Sequence, residues 1–141
     1  MRSARCRRII NFSSLVTRGL QFRSSYAAVK SALESLTRTT AVELAPDGIS
    51  ANAVAPGPTE TELFRENKPK GSEGGKRYLA KVPMARFVSP EEIAAAIVFL
   101  AVENAGFITG QTLFVDGDRA LECSDKYGAA GKQRWASEFR R

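Results

Sequence analysis

Two strand-like runs separated by one helix-length segment constrain this chain more than any other feature. Residues 8–13, Arg8-Ile9-Ile10-Asn11-Phe12-Ser13, are apolar and β-branched, as a buried strand requires. A polar loop over residues 14–23 follows, with Gly19 inside it. Residues 24–45 then carry Tyr26, Val29, Leu33, Leu36 and Leu44 near helical spacing, and Ser24 or Ser25 can cap the first turn. Pro46-Asp47-Gly48 stops that helix. Residues 49–55, Ile49-Ser50-Ala51-Asn52-Ala53-Val54-Ala55, form a second run of small and branched side chains. Strand, helix and strand at this length predict parallel pairing with a right-handed crossover.

Pro56-Gly57-Pro58 breaks the second strand. Residues 59–88 are polar and glycine-bearing, with short helices expected near 60–66 and 75–81. So long a segment after a strand end reads as a lid or mobile loop. Ser89-Pro90-Glu91-Glu92 is a helix start: Ser as cap, Pro at the first helical position, Glu at the third. That helix runs to about residue 102 and is apolar nearly all round, which predicts burial. Residues 111–115 supply a third strand. The expected organisation is a basic, disordered amino end over residues 1–8, an α/β core over 9–117 and a polar basic tail over 118–141.

Length allows one domain: the chain has 141 residues. Histidine is absent, which removes the commonest general base and metal ligand, and Cys6 and Cys123 stand far apart, so no metal site or disulfide framework is expected. The net charge of +6 is concentrated at the ends, in Arg2, Arg5, Arg7 and Arg8 and in Arg134, Arg140 and Arg141. Those residues are not interleaved with aromatics and do not line one helix face. They read as solvated termini rather than as a nucleic-acid patch. The first residues lack signal-peptide character, and no apolar run approaches a membrane span.

Chemistry enters with Ser25-Tyr26-Ala27-Ala28-Val29-Lys30. Tyr26 and Lys30 are four residues apart, hence on one helical face and one turn apart. A fixed positive charge favours the ionised phenol, and such a Tyr can serve as general acid or base. Alone, the pair is also what a half-buried aromatic beside a surface lysine would look like. Its company raises it: Ser13-Ser14 closes the preceding strand, and Pro56-Gly57-Pro58-Thr59-Glu60-Thr61 closes the next one at the same sheet edge. Ligands of open α/β sheets bind at that edge. Phe107-Ile108-Thr109-Gly110-Gln111 then leads into the third strand, which ends Val115-Asp116-Gly117.

With these motifs in this order, the chain resembles the short-chain dehydrogenase/reductases over residues 9–117, in the branch that includes 3-oxoacyl-acyl-carrier-protein reductases. The likeness implies a partial Rossmann-type, doubly wound α/β fold, with three parallel strands, flanking helices and the amino-terminal half missing. It implies Tyr26 as general acid/base and Lys30 as the residue that lowers its pKa and holds the nicotinamide ribose. It implies a serine for the substrate oxygen: Ser14, twelve residues before Tyr26, or Ser13 at the longer spacing. It implies nucleotide contacts from Tyr26, Lys30, Pro56, Gly57, Thr59 and Thr61. NAD or NADP would be the cofactor, a small carbonyl or alcohol the substrate, the assembly a homo-oligomer and the location cytoplasmic.

The family's amino-terminal half carries the Gly-rich turn for the pyrophosphate and the residue that selects between nucleotides. Neither that turn nor the family's asparagine before the serine strand is found here. The likeness therefore leaves two functions: an oxidoreductase whose first half lies elsewhere, or an inactive remnant acting as an interaction module.

Overall fold

The computed structural model describes residues 7–20, 22–67 and 69–118. The first six residues and the tail from residue 119 onward lie outside them. Strand β1, Arg8–Phe12, pairs in parallel with β2, Ser50–Pro56, and β2 pairs in parallel with β3, Thr112–Val115. The sheet order is β1-β2-β3, with Ile10 opposite Asn52 and Val54 opposite Leu113. This is the three-stranded parallel α/β arrangement expected. Arg8 opens β1, and Arg7 donates to the Asp47 carbonyl at 2.6 Å, so the ordered core begins inside the stretch read as a disordered basic end.

Helix α1, Ser24–Leu44, connects β1 to β2, and α4, Pro90–Ala101, precedes β3. Strand alternation sends Val54 to one face of the sheet, where it packs with Val88, Ile93 and Leu100. Ala51, Ala53 and Ala55 therefore face α1, and their small side chains let that helix lie close. Because both connections step the same way across the sheet but cover opposite faces, they have opposite hands, and only one follows the usual right-handed rule.

Two helix expectations change. Neither Ser24 nor Ser25 caps α1; both are already helical, Arg23 holds the cap position, and no side chain closes the turn. Helix α4 is not buried all round: Ile93 and Leu100 are covered, while Val98 is 60% and Phe99 53% exposed. A helix lying on a three-stranded sheet meets it along one stripe, whatever its composition. The stop at Pro46-Asp47-Gly48 is present, with Gly48 in the left-handed region at φ 68°.

Between β2 and α4, residues 59–88 contain two short helices, α2, Glu62–Asn67, and α3, Glu73–Leu79. The segment is pinned at its base, where Val88 N donates to the Pro58 carbonyl at 2.9 Å. Phe64 and Phe87 meet edge to face at 4.8 Å. No helix among the described residues is long and apolar enough to cross a membrane.

The start of α4 is a complete capping box. Ser89 Oγ accepts from Glu92 N, and the Glu92 carboxylate accepts from Ser89 N at 2.9 Å. Arg86 adds two hydrogen bonds to the same carboxylate, at 2.7 and 2.6 Å. Those Arg86 hydrogen bonds first, then the Ser89 N–H, pull the Glu92 carboxyl from its ordinary 4.5 down to about 2. A lowered folded value gives a contribution present in full above pH 4.5 and lost as the pH falls toward 2. The pair faces solvent, so the effect is local and small. Amide exchange in the first turn of α4 should therefore stay protected at pH 4.5 and fray between there and pH 2. Glu92→Gln should remove that dependence.

Candidate active site

The candidate residues gather where β1 and β2 end. Ser13 extends the ladder by one bond, its N–H donating to the Val54 carbonyl at 2.7 Å. Its side chain, only 4% exposed, points toward α1 and donates to Glu34 Oε1 at 2.6 Å. Ser14 stands at the head of a short 3₁₀ turn, Leu15–Arg18, whose Leu15 and Val16 are buried. Ser14 Oγ accepts from Val16 N at a long 3.4 Å, and Thr17 donates to the Ser14 carbonyl through N–H and hydroxyl alike. The Ser14 hydroxyl proton is left for another acceptor.

Tyr26 and Lys30 stand on the first two turns of α1. Lys30 Nζ donates to the Phe12 carbonyl at 2.7 Å, at the very end of β1, and lies 5.8 Å from the centre of the Tyr26 ring. That distance is within cation–π range. One hydrogen bond occupies one of the ammonium's three donors. Tyr26 itself is 47% exposed, open to a ligand at the sheet edge. Among the described residues no carboxylate is paired with Lys30.

Pro56 closes β2, and Gly57 N donates to the Val115 carbonyl at 2.9 Å. A Cβ on Gly57 would fall on Asp116 Cα and lie 2.6 Å from Asp116 Cβ. The glycine is thus set by backbone packing against the end of β3. Thr59 Oγ1 donates to the Gly57 carbonyl at 3.0 Å, and Thr61 Oγ1 accepts from Phe64 N at 3.2 Å. Both hydroxyls shape the loop itself, Thr59 keeping two lone pairs and Thr61 its proton and one lone pair for other partners.

Two residues and one set of contacts go beyond the sequence reading. Glu34 sits one turn past Lys30, a spacing that could have marked it. Arg18 spans to Asp116 at 2.9 Å and stacks over the Phe114 ring at 4.6 Å, tying the Ser14 turn to the end of β3. No local signal joins residues so far apart. Third, the Thr109-Gly110-Gln111 motif builds the strand starts: Thr109 Oγ1 accepts from Ala51 N, and Gln111 N donates to the buried Asn52 Oδ1.

A family model described as enoyl-(acyl carrier protein) reductase matches residues 1–117. The chain is 42% identical over 118 residues to the short-chain reductase protein NovJ of Streptomyces niveus, covering 79% of this chain and 44% of NovJ. It is also 42% identical over 118 residues to the 3-oxoacyl-[acyl-carrier-protein] reductase FabG of Salmonella typhimurium, covering 83% and 47%. The chain belongs to the short-chain dehydrogenase/reductase family. Among solved structures, a blue fluorescent protein from a metagenomic library in complex with NADPH superposes with TM-score 0.72 at 35% identity, over 81% of this chain and 45% of that one. YwfH, an NADPH-dependent reductase of bacilysin biosynthesis, gives TM-score 0.72 at 31% identity, over 80% and 46%. The chain spans slightly under half the length of these relatives.

The family's nicotinamide nucleotide can be tested against the residues present. An ammonium with two unused N–H donors, a serine hydroxyl with its proton uncommitted and a half-exposed phenol share one sheet edge. That donor set fits a ribose hydroxyl and a carbonyl oxygen. Gly57→Ala should destabilise the chain by about 1–3 kcal/mol, the usual cost of overpacking, measured by chemical denaturation.

Proposed function

We propose that the chain is the proton-transfer half of an oxidoreductase that moves a hydride between NAD or NADP and a small carbonyl or alcohol. The observation that carries this reading is Lys30, whose ammonium is held at the end of β1 and beside the Tyr26 ring. Ser13 has spent its hydroxyl on Glu34, which favours Ser14 as the serine that steadies the substrate oxygen. Lys30, Pro56, Gly57, Thr59 and Thr61 would hold the nicotinamide end of the nucleotide. Residues 59–88 would cover the substrate as a lid.

When bound, the nicotinamide supplies a hydride to the carbonyl carbon in reduction and accepts it in oxidation. In reduction Ser14 donates a hydrogen bond to the carbonyl oxygen, and Tyr26 gives that oxygen its phenolic proton, leaving an alcohol. Lys30 stabilises the negative charge that then rests on the Tyr26 oxygen. Oxidation reverses each transfer. The NADPH complex and the NADPH-dependent reductase among the structural relatives make NADPH the first nucleotide to test. Tyr26→Phe should lower turnover by roughly 10²–10⁴-fold, the contribution of a positioned acid–base group, followed by nicotinamide absorbance. Unchanged turnover in that variant would sink the assignment.

A second reading, an inactive interaction module, is favoured by the apolar side chains left open. Val29, Leu36 and Val42 on α1 and Val98, Phe99 and Val102 at α4 are all exposed. Exposed apolar side chains on a helix are what an interface uses, and a second copy of the chain would cover one of these two helix faces under either reading. Sedimentation should show an assembly larger than one chain, and Phe99→Glu should reduce its mass. Absence of NADH and NADPH binding by the wild type would select the module over the enzyme.

A further inference from the structure

Helix α1 is unbroken from Ser24 to Leu44, so Lys30 and Glu34 share one face a single turn apart. The Glu34 carboxylate therefore has two claimants, the Lys30 ammonium and the Ser13 hydroxyl. The structure gives it to Ser13, at 2.6 Å, and leaves Lys30 on the Phe12 carbonyl, at 2.7 Å. Two physical reasons favour that choice. Ser13 is almost fully buried, and a buried hydroxyl left without a partner is costly. The competing ion pair lies on a helix surface, where solvent screens it, and has Lys before Glu, the weaker order.

Phe12 and Ser13 are consecutive, so both bonds grip the same strand end. A third bond, Asn11 Nδ2 to Thr37 Oγ1 at 2.9 Å, ties the strand to α1 independently. The Ser13–Glu34 bond is thus not needed to dock the helix.

We propose that Ser13 is a positioning residue that holds the Glu34 carboxylate away from Lys30, so that the ammonium reaches Tyr26 unneutralised. This inference rests on the oxidoreductase reading for its effect on rate, but its structural content stands apart from it. Without the Ser13 hydroxyl, Glu34 turns to its helical neighbour and pairs with Lys30. The positive charge that supports Tyr26 is then cancelled by this chain's own carboxylate.

The test is a set of variants read by crystallography and by turnover. In Ser13→Ala the Glu34 carboxylate should move to within about 4 Å of Lys30 Nζ, the ion-pair range. Turnover should fall by roughly tenfold, part of what a positioned acid–base group supplies, with kcat bearing most of the loss. Adding Glu34→Gln to Ser13→Ala should restore most of the rate, because no carboxylate remains to pair with Lys30. Ser13→Thr, which keeps the hydroxyl, should retain it. A purely structural role for Ser13 would not be rescued by a second change that also removes the original partner's charge. The proposal is overturned if Lys30 stays on the Phe12 carbonyl with no carboxylate beside it in Ser13→Ala, or if the double variant is no faster than the single. Should Ser13→Ala not fold, Ser13→Cys, a weak donor, takes its place with the same criteria. Should the wild type show no turnover with any nucleotide, the oxidoreductase reading fails, and the position of Glu34 in the variant crystal still decides the inference.

Discussion

Strand β2 is buried on both faces, and everything else is placed against it. Its alternation of alanines with Ser50, Asn52 and Val54 gives the sheet two unlike sides. The alanine side admits α1 at close range, and the other side meets α4. Asn52 would be an expensive residue in such a strand if left alone. It is satisfied on both ends of its amide, donating to the Ile108 carbonyl and accepting from Gln111 N. That exchange fixes where β3 begins. Parallel register then sets which residues of β1, β2 and β3 end side by side, and so which side chains share the carboxyl edge.

The site inherits its geometry from that edge in a specific way. The helix that carries Tyr26 and Lys30 is bonded to the last two residues of β1, Asn11 and Phe12, and to Ser13 just beyond them. Side chains on α1 therefore cannot shift along the helix axis without breaking several contacts at once. A pair of residues that would be loosely placed on an exposed helix gains a fixed position relative to the Ser14 turn.

Much of this was legible in the sequence because it is local. The three strands, the long helix, the Gly48 stop and the Ser89 capping box all rest on periodicity or on residues a few positions apart. What depends on the partner of a residue was not legible. The apolar composition of α4 says nothing about how much of it is covered, and Val98 and Phe99 are open. The proposal of Ser14 over Ser13 rests on strand parity, which sends Ser13 toward Glu34 and leaves Ser14 on the turn. The missing cap of α1 reflects a helix that starts one residue earlier than its serines suggest. Thr59 and Thr61 look from sequence like ligand contacts, yet each has a loop-shaping bond of its own.

The bridge from Arg18 to Asp116 joins positions 98 residues apart. It reaches from the turn after β1 past the end of β2, where Gly57 lies against Asp116, to the residue just after β3. A contact between positions so far apart in sequence depends on the strand pairings in between to bring its ends together. The Ser14 turn therefore has its Arg18 anchor only when β3 is docked. During synthesis the same turn leaves the ribosome long before its anchor does. Ser14, Tyr26 and Lys30 lie well before Asp116 in sequence, yet the turn that carries Ser14 is tied through Arg18 to the residue just after the third strand.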